Sequence, residues 1–162
     1  MEKSAVLDES GRYRYRLSRR WEEGDELVFV LLNPSTADAT EDDPTLRRCV
    51  GFARRMGFGG LVVVNLFALR ATDPRSLATA ADPVGPDNDA HILGACETAD
   101  RVLLGWGNHG LLHGRGERVW RRLGACHHLG LTARDQPRHP LYLHRDTPLV
   151  GPQSWPGGEK QP

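Results

Sequence analysis

The sequence predicts an α/β protein with a mainly parallel central sheet. Three observations carry this expectation. The runs "ELVFVLLN", "LVVVNLFALR" and "RVLLGWG" are continuously apolar and rich in β-formers. Strands of that kind need cover on both faces, as central parallel strands have. The segments between them carry apolar residues at helical spacing, and strands alternating with amphipathic helices define the α/β class.

The elements follow in order. "AVLDESGRYRYRLSRRW" reads as two short strands around a Glu9-Ser10-Gly11 turn. In the second, arginines alternate with Tyr13, Tyr15 and Leu17, the period-2 pattern of one half-buried face. The first apolar strand then runs to Asn33. Asp43 is placed to cap a helix and Pro44 to occupy its first turn. Leu46, Cys49, Val50, Ala53 and Met56 form its inner stripe, and Gly57, Gly59 and Gly60 stop it. The second apolar strand ends near Asn65. "ATDPRSL" is a turn with one helical turn after it. "GPDNDAHILGACETA" is a helix turning Ile92, Leu93 and Cys96 inward, and the third apolar strand ends in glycines. "GERVWRRLGACHHLG" reads as a helix with Val119, Leu123 and Cys126 on one stripe. "LTARDQPRHPLYL" is a short strand, a turn and a last short segment. Residues 1–150 are expected as a single α/β domain. From Gly151 to Pro162 the chain is rich in Pro and Gly without periodicity, and is expected as a flexible tail.

Size and composition narrow the function classes. A chain of 162 residues fits one domain with a real core. Apolar content of 39% and charged content of 26% suit a soluble globular protein. No apolar run approaches the roughly 20 residues that span a bilayer, so no membrane partner is expected. The formal net charge of zero argues against strong non-specific attraction to duplex nucleic acid. Cys49, Cys96 and Cys126 are far apart and form no CxxC pair. With no leader peptide evident, they fit a reduced, cytoplasmic protein with small core cysteines, and neither a metal nor another cofactor is expected.

The densest chemistry lies in "LLNPSTADATEDDPTLRRC", where the apolar strand gives way to Asn33, Pro34, Ser35 and then Asp38, Glu41, Asp42 and Asp43. Ligands of open α/β sheets collect at the carboxyl ends of the strands. Asn33, Asn65 and Gly105 all fall there. An Asn offers a donor and an acceptor, enough to read a base edge or hold a water. His139, beside Pro140, is suited to stabilise charge developing on a leaving group. Asp38, close after the turn, is the carboxylate best placed by sequence to direct water. Asp43 is first of all a cap. "DPVGPDND" lacks calcium-loop spacing, and "GWGNHG" matches neither the dinucleotide fingerprint nor the P-loop.

These motifs carry a resemblance. The chain up to about Leu143 resembles a family of uncharacterised bacterial and phage proteins with "LNPSTAD…DDPT…RC", "VVNLFA.R.T.P" and "PRHPLYL" segments. More distantly, it resembles the uracil-DNA glycosylase superfamily. "LLNPS" is similar to a "GINPG" loop there, "NLFALRATDP" to a segment whose Asn reads the base, and "RHPLYLHR" to an "HPAYLLR" segment whose His contacts the leaving base. With "VLLGWGNHGLLHG", similar to a "VALGATAAQALLG" stretch there, four matches fall in the same order. The implied fold is a three-layer α/β/α sandwich. The resemblance implies that Asn33, with Asp38, directs a water, that Asn65 reads the base, and that His139 assists its departure. Pro34, Ser35 and Phe67 would then line the base pocket and Arg70 contact phosphate. Two departures are plain: Leu31 and Ser35 stand where the superfamily loop has glycines, and its four cluster-binding cysteines are not reproduced.

The function this implies is recognition, and hydrolysis, of the N-glycosidic bond of an unusual base in DNA or a nucleotide. The partner is then a nucleic acid with a small footprint or a free nucleotide, bound by a monomer. The alternative is a module that binds a nucleotide or modified base without cleaving it. A protein-binding surface on the Arg-Tyr strand, and a metal-dependent phosphohydrolase built on the acidic loop, are the remaining readings.

Overall fold

The computed structural model describes residues 1–157. Seven strands form one sheet: β1 (Glu2–Leu7), β2 (Arg14–Arg20), β3 (Glu26–Leu31), β4 (Gly60–Asn65), β5 (Arg101–Leu104), β6 (Cys126–His128) and β7 (Val150–Gln153). Three α-helices accompany them: α1 (Pro44–Arg55), α2 (Asn88–Thr98) and α3 (Arg115–Leu123). The spatial order is β1-β2-β4-β3-β5-β6-β7.

The α/β class is as expected, but the sheet is mixed rather than mainly parallel. β4, β3, β5 and β6 run parallel, whereas β1, β2 and β7 join antiparallel at the two sides. Chain length explains the first side. Only Trp21–Asp25 separates β2 from β3, and so short a link reverses the chain. A parallel return needs a crossover of a dozen or more residues. β2 therefore opposes both β3 and its parallel neighbour β4.

Alternation distributes the buried strands between two cores. Leu27, Phe29, Leu31, Leu61, Val63 and Leu103 pack with Leu46, Cys49, Phe52 and Ala53 of α1. Val28, Val30, Val62, Val64 and Leu104 pack on the other face with Ile92 and Ala95 of α2 and Val119 and Trp120 of α3. Asp43 caps α1 as expected, its Oδ1 accepting from Leu46 N at 2.8 Å. All three thiols are free, and burial raises the pKa of each.

Three local expectations fail for identifiable reasons. Gly124 ends α3, so Cys126, His127 and His128 form β6 rather than extending the helical stripe. The expected tail at Gly151 begins inside β7. That strand is tied down by Trp120 Nε1, which donates to Gln153 O at 3.1 Å, and by the edge-on packing of Trp155 against Trp120. Residues 158–162 of the expected tail lie outside the described residues. Strand β2 does not alternate regularly. Leu7 pairs with Arg14 and Val6 with Arg16, so Tyr15 is an extra residue and the strand bulges there. A bulge shifts the alternation by one. Arg14 thereby comes to the α1 side with Leu17, and Tyr15 turns to stack on His91 of α2.

Candidate functional site

The parallel strands β3, β4 and β5 end on one side of the sheet, and a cleft of about 510 Å³ opens there. Its walls come from Leu32–Asn33 after β3, Ala71–Thr72 after β4, Trp106–His109 after β5, the start of α1, and the segment from Arg138 to Leu143. The volume falls in the range of small-molecule sites, roughly 300–1,000 Å³. A recess of about 40 Å³ lies against it, lined by Arg14, Asn33, Ser35, Asp43, Asn65 and His139 among others. Asn33, Ser35, Asp43, Thr45 and His139 line both spaces.

Asn33 is held by its amide. Nδ2 donates to Ala71 O at 2.8 Å and to Pro34 O at 3.1 Å, and Ala71 N returns a bond to Pro34 O. Its Oδ1 accepts no hydrogen bond among the described residues. Asn65 closes β4 at 1% exposure, and both polar atoms of its amide lack partners among the described residues. Its backbone is pinned: Asn88 Nδ2 donates to Asn65 O and Leu66 O, and Arg115 Nε donates to Leu66 O.

His139 is positioned by a close approach. A side chain at Gly105 would meet Pro140 Cδ at 2.9 Å, so the glycine lets the 3-10 turn Pro140–Tyr142 lie over the end of β5. Gly107 N donates to Pro137 O, and Arg48 Nη1 to Leu143 O. Nδ1 of His139 accepts from Leu141 N at 3.2 Å. The proton of the neutral ring therefore resides on Nε2. Burial pushes the imidazole pKa down to about 4, against the pull of Asp43. The ring is thus a neutral donor near pH 7. The linked stability has a definite sign. Between pH 6.5 and about 4 the unfolded ring takes a proton that the folded ring refuses. Folding stability should fall across that window by on the order of 3 kcal/mol and level off below it. Urea unfolding at pH 7.5 and 4.5 checks this, because His139→Gln should remove that part of the pH dependence.

The acidic loop is mostly self-structured. Asp38 lines neither space. Its Oδ1 accepts from Thr40 N and Glu41 N, and those bonds hold its carboxyl below the usual range. Asp42 pairs with Arg19, which is 1% exposed and also donates to the carbonyls of Asp38 and Glu41. Asp43 is the carboxylate at the site. Its two oxygens accept from Leu46 N and Ala37 N, and its side chain lines both spaces.

The structure therefore brings together Asn33, Ser35, Asn65 and His139. Pro34 is buried beside them as an acceptor for the loop. Asp38 stays outside. Phe67 belongs to the core on the α2 and α3 face at 0% exposure and lines neither space. Arg70 also lies off the cleft, donating to Gly11 O at 3.3 Å. The aromatics at the cleft are Trp106 and Tyr142, the latter 82% exposed. Sequence reasoning missed Arg14 at the recess, because a bulge leaves no period-2 signature. It also read Asp43 first of all as a cap, and placed Asn88 at the start of a helix without assigning it a contact. Among the described residues no group of three or more His, Cys, Asp or Glu side chains could hold a metal ion, and no helix is long and apolar enough to cross a membrane.

Fold and site together define an α/β protein with a cleft at the carboxyl ends of its parallel strands, on which several polar side chains converge. The chain belongs to the family described as "Protein of unknown function (DUF1643)", whose model matches residues 14–141. That span holds every residue lining the recess, from Arg14 to His139. No curated protein and no solved structure matches the chain.

Proposed function

We propose that the cleft binds a nucleobase, within a nucleotide or a nucleic acid, and hydrolyses its N-glycosidic bond. The observation that carries the reading is the convergence of Asn33, Asp43, Asn65 and His139 on one cleft and its inner recess. Helices on both faces of the parallel strands also agree with a glycosylase-like sandwich. The base edge meets Asn65. His139 Nε2–H donates to the base as the glycosidic electron pair moves onto it, so the base leaves without a full unstabilised charge. A water held by Asn33 Oδ1 attacks C1′. Its proton passes to Asp43, which takes the part expected of Asp38, and then to solvent. The departed base anion takes up a proton from solvent, so the products are the free base and a sugar with a hydroxyl at C1′.

A groove adjoining the cleft through Pro44 and Leu141 supports a polymeric substrate. Arg47, Arg48, Arg55 and Arg145 line it. If phosphates run along it, oligonucleotide affinity falls with salt. Arg47→Ala or Arg145→Ala should each lower the log–log salt slope by roughly 0.7–0.9, with nucleoside binding unchanged. Fluorescence anisotropy at several salt concentrations measures both.

The deciding experiment incubates the protein with single- and double-stranded oligonucleotides carrying uracil, hypoxanthine, xanthine, and oxidised or alkylated bases. Strand scission after alkali scores base release. Cleavage lost in Asn33→Ala and His139→Ala supports the reading. Binding without cleavage of any substrate would instead support the non-catalytic module. One observation favours that second reading: both oxygens of Asp43 already accept backbone N–H groups.

A further inference from the structure

Arg14 and Asn65 face the same recess of about 40 Å³. They are 3% and 1% exposed. Among the described residues, Arg14 Nε, Asn65 Nδ2 and Asn65 Oδ1 have no hydrogen-bond partner. A buried polar atom left unpaired destabilises the fold. Three of them around one small space define what an occupant must offer.

The guanidinium is fixed in place. Arg14 Nη1 donates to Ala37 O at 2.7 Å, and the Tyr15 bulge sets the direction from which the side chain enters. Burial lowers its pKa to about 10, so it keeps its charge near pH 7. The other charged group at the recess, Asp43, directs its oxygens to backbone amides. Arginine has donors only. Asn65 supplies a donor and an acceptor side by side.

Two kinds of heterocycle edge satisfy Asn65 alone. A lactam edge offers C=O beside ring N–H. An amino-substituted edge offers a ring nitrogen beside NH₂. Arg14 breaks the tie. A carbonyl oxygen has two lone pairs and takes both Arg14 Nε–H and Asn65 Nδ2–H, while its neighbouring N–H donates to Asn65 Oδ1. A ring nitrogen has one lone pair and leaves one of the two donors unpaired. Its NH₂ group also lies poorly against a cation.

We propose that Arg14 is a specificity-determining residue and that, with Asn65, it selects an oxo-substituted ring edge over the amino-substituted counterpart. The inference rests on the base-binding reading above and names the class of base.

Matched nucleoside pairs test it: inosine against adenosine, and uridine against cytidine. Binding is measured by calorimetric titration of the full chain, with thermal unfolding recorded for every variant. The oxo member of each pair should bind at least about tenfold tighter, since a site built to hydrogen-bond one group rejects the analogue lacking it. Arg14→Gln should bring each pair to within about twofold. Asn65→Asp removes the second donor, so that one lone pair suffices in either edge, and should abolish the preference. It decides the matter if Arg14→Gln does not fold. Equal binding within both pairs, or a preference for the amino members, overturns this inference and leaves the base-binding reading intact. Binding of no nucleoside overturns both.

Discussion

Replacing His139 by alanine is expected to slow release of the base by roughly 10²–10³-fold, the usual cost of one donor aimed at developing charge. The loss should appear in kcat with little change in nucleoside affinity, because the base edge is held by Asn65. The pH profile carries independent information. A neutral donor with a pKa of about 4 gives activity that does not fall as the pH rises through 6.5. An imidazolium acting as general acid would lose activity there. His139→Gln keeps a donor and should recover part of the rate. Single-turnover kinetics between pH 5 and 8 on wild type and both variants distinguish these outcomes. A profile that titrates near 6.5 and vanishes with His139 would overturn the neutral-donor mechanism.

The second large effect belongs to Asp43. Alanine there removes the cap on Leu46 N, worth about 1–2 kcal/mol. It also strands the buried amide of Ala37, at about 1–3 kcal/mol. A combined loss of about 2–4 kcal/mol is expected, less than the sum because the two amides belong to one loop. Asp43→Asn keeps one oxygen for Leu46 N but turns its NH₂ toward Ala37 N, and should lose about half as much. Urea denaturation with an unchanged m-value would establish that the difference is one of stability. Catalysis separates the two roles further. If Asp43 takes the water's proton, Asp43→Asn stays folded and loses base release, while nucleoside binding persists.

The carboxylates of the acid-rich loop divide their roles in the same terms. Asp38 closes its own turn, Asp42 neutralises the buried Arg19, and Asp43 caps α1. Only Asp43 reaches the cleft. A run of carboxylates looks catalytic in sequence because proximity along the chain is all that sequence displays. Which carboxylate faces the cleft depends on the loop's internal hydrogen bonds.

Local chemistry made much of the protein legible. Continuous apolar runs marked β3, β4 and β5, and Asp43-Pro44 marked the start of α1, because burial on both faces and helix capping are decided within a few residues. The placement of Asn33 and Asn65 on one side of the sheet followed from the rule that ligands gather where parallel strands end. Long-range geometry decided the rest. The direction of β2 came from the shortness of its link to β3, and Phe67 was taken into the core by α2 and α3 instead of the cleft. Gln153 and Trp155 were drawn onto Trp120 although nothing periodic surrounds them. Arg14 is the sharpest case. Its neighbours alternate regularly in sequence, yet one extra residue in the pairing of β1 with β2 turns it inward, to a recess whose other walls come from residues 17 to 139. Sequence by itself determined which segments must be buried and which ends must be capped, since those are local free energies. Tertiary structure alone decided which polar groups meet in the recess, because that depends on strand register, and register is set by pairing between distant parts of the chain.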